Sequence, residues 1–193
     1  LGFHVSDNLT IGMVQETPWP SGNTLYEGCN VTLTGSVTAD TAQYTSGYSS
    51  YAFQDGTGQW NGLVFDTEEM AIVTRGDEVS VTGLVTDNDP DWVFKFGGNT
   101  RLINAMVTVT STGNETPAPT GVSASDLAQT AEEVESYEGV LVKLENVTVS
   151  SVNAYDWSIT DASGMEALID EDMGTMGAGI VMSELVEGQQ LSY

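Results

Sequence analysis

Three aspartates stand at alternate positions in a short turn-forming segment, Asp87-Asn88-Asp89-Pro90-Asp91. Ca²⁺ takes about six to eight oxygen ligands, and alternating carboxylates in a loop can direct several oxygens to one point. The spacing therefore predicts a Ca²⁺ site formed by Asp87, Asp89 and Asp91. The segment is not an EF-hand loop, because Trp92 stands where that loop needs glycine. A solvated loop between two strands is the alternative interpretation.

Three aromatic residues, Tyr51, Trp60 and Trp92, form a second candidate site. Exposed aromatic rings stack on sugars and on the bases of single-stranded nucleic acid. Because few cations accompany these rings, they favour a sugar or protein ligand over a phosphate backbone. The alternative is that Tyr51 belongs to the core, since the repeat described below aligns it with Trp157.

The charge of the chain limits its partners. Asp and Glu number 28 and Lys and Arg number 4, which gives a net charge of −24. Nucleic acid and anionic membranes are bound mainly through Lys and Arg, so neither is an expected partner. No apolar run reaches the roughly 20 residues that span a bilayer.

The residues that support most catalysis are rare. The chain has one histidine, His4, and one cysteine, Cys29, and it lacks the common zinc, haem, nucleotide and serine-hydrolase motifs. We therefore predict that this segment is not an enzyme. Hydrolysis that uses carboxylates alone is left open, because carboxylates occur throughout the sequence.

An internal repeat organises the elements that must position these residues. Three sequence blocks recur in the same order, which indicates two related domains. Residues 1–112 are the predicted first domain, 113–121 a Pro/Thr-rich linker and 122–193 the second domain. The matched blocks are Tyr26-Glu27-Gly28 with Tyr137-Glu138-Gly139, residues 51–58 with 157–164, and residues 76–79 with 188–191.

The first domain contains five segments with strand character. Several of them alternate apolar and polar residues, and internal glycines favour the bends that a small barrel needs. The count is that of an OB-type barrel, so we predict an all-β fold of two tandem small barrels. One short helix is predicted after Ser125, which can cap it. The predicted strands are 30–38, 51–53, 60–65, 78–86 and 106–110.

The sequence resembles the OB-fold modules of exported bacterial surface proteins and secreted nucleases. The resemblance lies in Tyr-Glu-Gly before a Val/Leu/Thr strand, an aromatic strand ending in Asp55-Gly56-Thr57-Gly58, and the run Gly76-Asp77-Glu78-Val79-Ser80-Val81-Thr82-Gly83. Asp126-Leu127 before Tyr137-Glu138-Gly139 resembles the opening of a second module. The resemblance implies an extracellular or cell-surface location and no catalytic residue, because nuclease chemistry belongs to a separate domain.

The second copy is predicted to be incomplete, because Tyr193 aligns near Val81 of the first copy. A donated strand would complete such a barrel. The candidate donor is the segment 1–15, in which apolar residues alternate with polar or small ones. In the alternative interpretation this segment packs on its own domain. The apolar residues are Phe3, Val5, Leu9, Ile11 and Met13.

Together these features predict a non-enzymatic structural or adhesive module outside the cell, which self-assembles, in a filament if strands pass between subunits. The expected partners are copies of the chain. No cofactor is expected apart from Ca²⁺ at the aspartate loop. The alternative function is an accessory module of a larger secreted enzyme, which binds carbohydrate or nucleic acid.

Overall fold

The computed structural model describes residues 4–5, 8–19, 21–44, 48–69, 71–87, 99–128, 133–153, 156–170 and 186–191. Strands dominate the regular structure of these residues, and five of them close into a barrel. The prediction of an all-β fold with a small barrel is confirmed. Within the described ranges, no helix has the length and apolar character that crossing a bilayer requires.

The barrel follows a two-residue strand, β1 (His4–Val5), and contains the five strands β2 to β6. Strand β2 pairs antiparallel with both β3 and β5, β3 pairs with β4, and β5 pairs with β6. A short parallel pairing between β4 and β6 closes the circle. The bounds are β2 Asn30–Tyr44, β3 Tyr48–Gln54, β4 Gly62–Thr67, β5 Glu78–Thr86 and β6 Arg101–Ser111.

The alternating pattern of these strands directs one set of apolar side chains into the barrel. Phe53 and Phe65 meet edge to face there, with ring centroids 5.3 Å apart. Each fully buried large side chain contributes roughly 1.5–3 kcal/mol to stability. Gly35 allows β2 to bend over β3, because a Cβ there would lie 2.6 Å from the carbonyl oxygen of Gln54. Other core members are Val31, Leu33, Leu63, Val79, Val81, Val85 and Leu102.

The second repeat forms a four-stranded sheet in the order β11-β10-β9-β12. Two backbone hydrogen bonds of the first repeat recur in this sheet. Val37 N–H donates to Asp77 O and Gly76 N–H to Val37 O, at 2.8 and 2.9 Å. The equivalent Val149 N–H donates to Gln189 O at 2.8 Å, and Val149 O accepts from Gly188 N–H at 2.7 Å. The bounds are β9 Val147–Val152, β10 Asp156–Thr160, β11 Glu166–Asp170 and β12 Gln190–Leu191.

The N-terminal segment differs from the predicted donor strand. Residues Ile11–Gln15 form a helix, α1, whose N-cap Thr10 accepts a hydrogen bond from Met13 N–H at 3.1 Å. Ile11 and Val14 are fully buried in the core of the first barrel. The buried positions are therefore three residues apart, as on one face of a helix, and not two apart as in a strand.

The assignment of this segment to an assembly strand is thus wrong for Ile11 and Met13. Leu9, which precedes the helix, is partly buried against the same core. Val5 lies in β1, whose backbone pairs parallel with Asn30 and Val31 of β2. Phe3 lies outside the described residues.

The predicted helix after Ser125 is also wrong in its described part. Residues 124–126 form a turn, because the Asp126 carboxylate accepts hydrogen bonds from the N–H and hydroxyl of Ser123, both at 2.7 Å. Such a local side-chain bond to the backbone competes with helix formation. A 3₁₀ helix, Val134–Tyr137, follows later. The linker strand β7 (Thr120–Gly121) pairs parallel with β8 (Val142–Lys143).

Candidate functional site

The side chain of Asp87, the first residue of the predicted Ca²⁺ loop, forms hydrogen bonds within the first domain. It is buried, and its Oδ2 accepts a hydrogen bond from Thr24 N–H at 2.9 Å. Its Oδ1 accepts from the Thr100 hydroxyl at 2.6 Å. Asp89 and Asp91 lie outside the described residues. Among the residues that are described, no three His, Cys, Asp or Glu side chains are grouped so that they could hold a metal ion.

The aromatic candidates do not form a ligand face in the described structure. Tyr51 is fully buried and stacks on Phe65, with ring centroids 5.1 Å apart. Its hydroxyl accepts a hydrogen bond from Ala71 N–H at 2.9 Å. The prediction that Tyr51 binds a ligand is therefore wrong, because its ring is a core side chain. Trp60 is half-buried in the turn between β3 and β4, and Trp92 lies outside the described residues.

The most elaborate polar arrangement is the place where the two repeats meet. We call it the repeat junction: residues 133–141 packed against α1 and the turn 55–61 between β3 and β4. Gln54 is its central side chain and is almost fully buried. Its Oε1 accepts a hydrogen bond from Leu141 N–H at 2.5 Å, and its Nε2 donates to Gly56 O at 2.9 Å.

A second buried glutamine, Gln15, fastens α1 to the same junction. Its Nε2 donates to Gly62 O at 2.7 Å and lies 3.5 Å from Glu138 O. Ile11 N–H at the start of this helix donates to the Asp55 carboxylate at 2.7 Å. Trp60 N–H donates to Ser136 O at 2.7 Å. Each buried amide thus has partners in different elements, so the junction depends on the relative placement of all of them.

Two glycines let the backbones of the two repeats touch. A Cβ on Gly62 would lie 2.2 Å from the carbonyl carbon and oxygen of Gly139. Gly139 itself has φ +66°, a conformation that L side chains rarely adopt. Its counterpart in the first repeat, Gly28, has φ +76°. The repeated Tyr-Glu-Gly motif therefore conserves a turn, and in the second copy that turn is also the contact surface.

Three carboxyls gather beside this contact: Asp87, Glu135 and Glu138, which we call the junction carboxyl cluster. Glu138 as a residue is half-buried, but its Oε2 is excluded from solvent. Burial raises the pKa of Glu138 well above its usual range, and the charge of Glu135 raises it further. Burial likewise raises the pKa values of Glu135 and Asp87. Glu27 adds negative charge beside Asp87 and accepts a hydrogen bond from its N–H at 2.7 Å.

One cation, Arg101, lies close to this cluster and lowers the pKa of Glu138. It also forms a buried ion pair with Asp66, with Nη1 and Oδ2 3.1 Å apart. The Ser50 hydroxyl donates a hydrogen bond to the other oxygen of Asp66. The cluster therefore carries more potential negative charge than the neighbouring cation balances, and protonation of one carboxyl relieves the excess.

Comparison of the chain with protein-family models, with curated proteins and with solved structures returns no match. The repeat is visible in the sequence, but the junction is not. The second Tyr-Glu-Gly motif marks one side of the junction, and the motif itself does not reveal which residues it packs against.

Proposed function

We propose that this chain is a non-catalytic structural module of an exported protein, in which two β-repeats act as one rigid unit. The observation that carries the proposal is the repeat junction. A flexible tether between domains needs no buried side chain at its ends. Here Gln15 and Gln54 are buried at the contact, and Gly62 and Gly139 bring the two backbones together.

The roles of the buried acidic groups support a structural function. Asp66 is engaged by Arg101 and Ser50, and Asp87 by Thr24 and Thr100. These carboxylates join separate elements of the barrel through hydrogen bonds and an ion pair, which is a structural role. The Thr-, Ser- and Gly-rich, Lys-poor composition is typical of exported surface proteins and supports the extracellular location.

Self-assembly by the N-terminal strand is not part of this proposal, because residues 11–15 are helical and belong to their own barrel. The alternative role in binding carbohydrate or nucleic acid gains no support from the two candidate aromatic residues that the structure describes. Tyr51 is a core side chain, and Trp60 contributes its backbone N–H to the junction.

Force spectroscopy on single molecules tests the rigid unit. With handles at both ends, the native chain should unfold its two repeats in one cooperative event. Gln54→Ala should split this event into two smaller ones. Gln59→Ala should leave it intact, because Gln59 is a half-buried glutamine of the same turn whose hydrogen bond to Glu133 is exposed. Two separate events in the native chain would contradict the proposal. Export is tested independently by treating intact cells that produce the protein with a labelling reagent that cannot enter them.

A further inference from the structure

One side of β6 is open over most of its length in the described structure. Residues 101–111 pair with β5 on one side. On the other side, the pairing with β4 involves Arg101 and Leu102 alone. From Asn104 to Val109, no described strand pairs with this side. Backbone N–H and C=O groups on such an edge can pair with an added strand.

A groove of about 530 Å³ runs along this open side, between β6 and the segment that follows β4. Ile72 is 95% exposed on one wall, and Met106 is 70% exposed on β6. The exposure of Ile72 is imposed by its neighbours. Ala71 is hydrogen-bonded to the Tyr51 hydroxyl, and Val73 is buried in the core. The groove therefore presents apolar side chains that the fold itself holds in solvent.

The described charges at the groove are negative. Glu68 and Glu69 are exposed and line it, and no described lining residue is cationic. Apolar walls, an open strand edge and neighbouring carboxylates define complementary chemistry. An occupant would be extended, would carry apolar side chains at alternate positions, and would carry Lys or Arg near them.

We propose that this groove binds an extended, basic segment of another protein as an added strand along β6. Main-chain hydrogen bonds to the β6 edge supply affinity, and contacts with Ile72 and Met106 select alternate apolar side chains. The binding surface lies apart from the repeat junction, so this proposal does not depend on the rigidity of the two repeats.

A second copy of the chain is a poorer occupant. Each copy has a net charge of −24, so two copies repel each other at moderate salt. Of the three described cations, Arg101 is buried with Asp66, Lys143 pairs with Glu145, and Arg75 is exposed, which is little to offset the acidic residues of a second copy. A basic segment from a different polypeptide reverses this repulsion.

The probe is a fluorescein-labelled peptide of alternating valine and threonine, flanked by two lysines at each end. Anisotropy titration of the full chain at about 150 mM salt should give a dissociation constant in the micromolar range. Ile72→Asp and Met106→Asp should each weaken binding by about tenfold or more. Because both side chains are exposed, the variants should retain the native melting curve. Leu168→Asp is the matched control, since Leu168 is 55% exposed on the separate strand β11.

Two modified peptides test the mode of binding. N-methylation at alternate residues removes the donors that a strand needs and should abolish binding, and glutamates in place of the lysines should weaken it at least tenfold. Amide hydrogen exchange in β6 should slow when the unmodified peptide binds. The proposal is wrong if the unmodified peptide fails to bind at about 1 mM, if Ile72→Asp has no effect on binding, or if Leu168→Asp removes binding. It is also wrong if sedimentation reveals a dimer that Ile72→Asp dissociates, because the occupant is then a second copy.

Discussion

Replacing Gln54 by alanine removes the side chain that joins the first barrel to the opening of the second repeat. In the native chain, its Oε1 accepts the Leu141 N–H at 2.5 Å and its Nε2 donates to Gly56 O at 2.9 Å. Alanine can do neither. The substitution leaves Leu141 N–H and Gly56 O without these partners and creates a space at the junction.

The magnitude follows from the burial of these groups. Leaving a buried donor or acceptor unsatisfied costs about 1–3 kcal/mol. Leu141 is half-buried, so water can reach part of the vacated site and the cost stays within that range. Because about 1.4 kcal/mol corresponds to a factor of ten, the equilibrium for opening the junction should rise by roughly fivefold to 150-fold.

Amide hydrogen exchange at Leu141, followed by NMR, measures this opening directly. Exchange of Leu141 should accelerate by that factor in Gln54→Ala, while the amides of β2 and β5 keep their native protection. Gln59→Ala is the matched control, because the hydrogen bond from Gln59 to Glu133 is exposed and its loss should change stability by less than about 0.5 kcal/mol. Unchanged exchange of Leu141 in a folded Gln54→Ala protein would refute the reasoning.

Three further predictions concern the junction and the aspartate loop. Because the junction carboxyl cluster has raised pKa values, these carboxyls hold protons in the folded chain that they release in the unfolded chain, so their contribution to stability is greatest at low pH and falls as pH rises through those values. Glu138→Gln should flatten this fall above pH 4.5, the ordinary pKa of a glutamate, in urea unfolding, and a slope equal to the native one would contradict the assignment. Gly62→Ala should separate the repeats, because its Cβ would clash with Gly139, whereas Gly121→Ala meets open space and should be silent in the same exchange assay. Asp87→Ala should lower the free energy of unfolding by about 2–4 kcal/mol both with and without Ca²⁺, because two hydrogen bonds are lost. A loss of stability seen only when Ca²⁺ is present would instead support the predicted metal site.

The barrel could be predicted from the sequence because its signals are local. Val31 and Leu33 alternate with polar residues, as do Val79 and Val81, and a period of two places each set on one face of a strand. The repeated glycines were equally informative. Gly76 and its counterpart Gly188 adopt φ +89° and +87°, so the sequence repeat reflects a repeated backbone turn.

The helix α1 shows where such reasoning fails. Leu9, Ile11 and Met13 alternate as a strand would, but the same residues also allow a helix that buries Ile11 and Val14. Thr10 was a local cap signal for the helix. The choice between the two depends on the barrel surface that receives the side chains, and this surface is assembled from strands distant in sequence.

The repeat junction could not be predicted for a related reason. Gln15, Gln54 and Leu141 are separated by long stretches of chain, and a glutamine on a strand gives no sign of its partner. Asp87 is a different case, because the partners of its side chain could not be identified from the sequence. Its spacing from other aspartates suggested a shared cation, whereas its carboxylate accepts bonds from Thr24 and Thr100.

The most direct test of the rigid two-repeat unit is ¹⁵N relaxation of the native chain in solution. Amides of β2–β6 and amides of β9–β11 should report one common rotational correlation time, that of a single body of 20.5 kDa. In Gln54→Ala the two sets of amides should report different correlation times, both shorter than the native one. A shorter, independent correlation time for β9–β11 in the native chain would show that the repeats move separately and would contradict the proposed structural role.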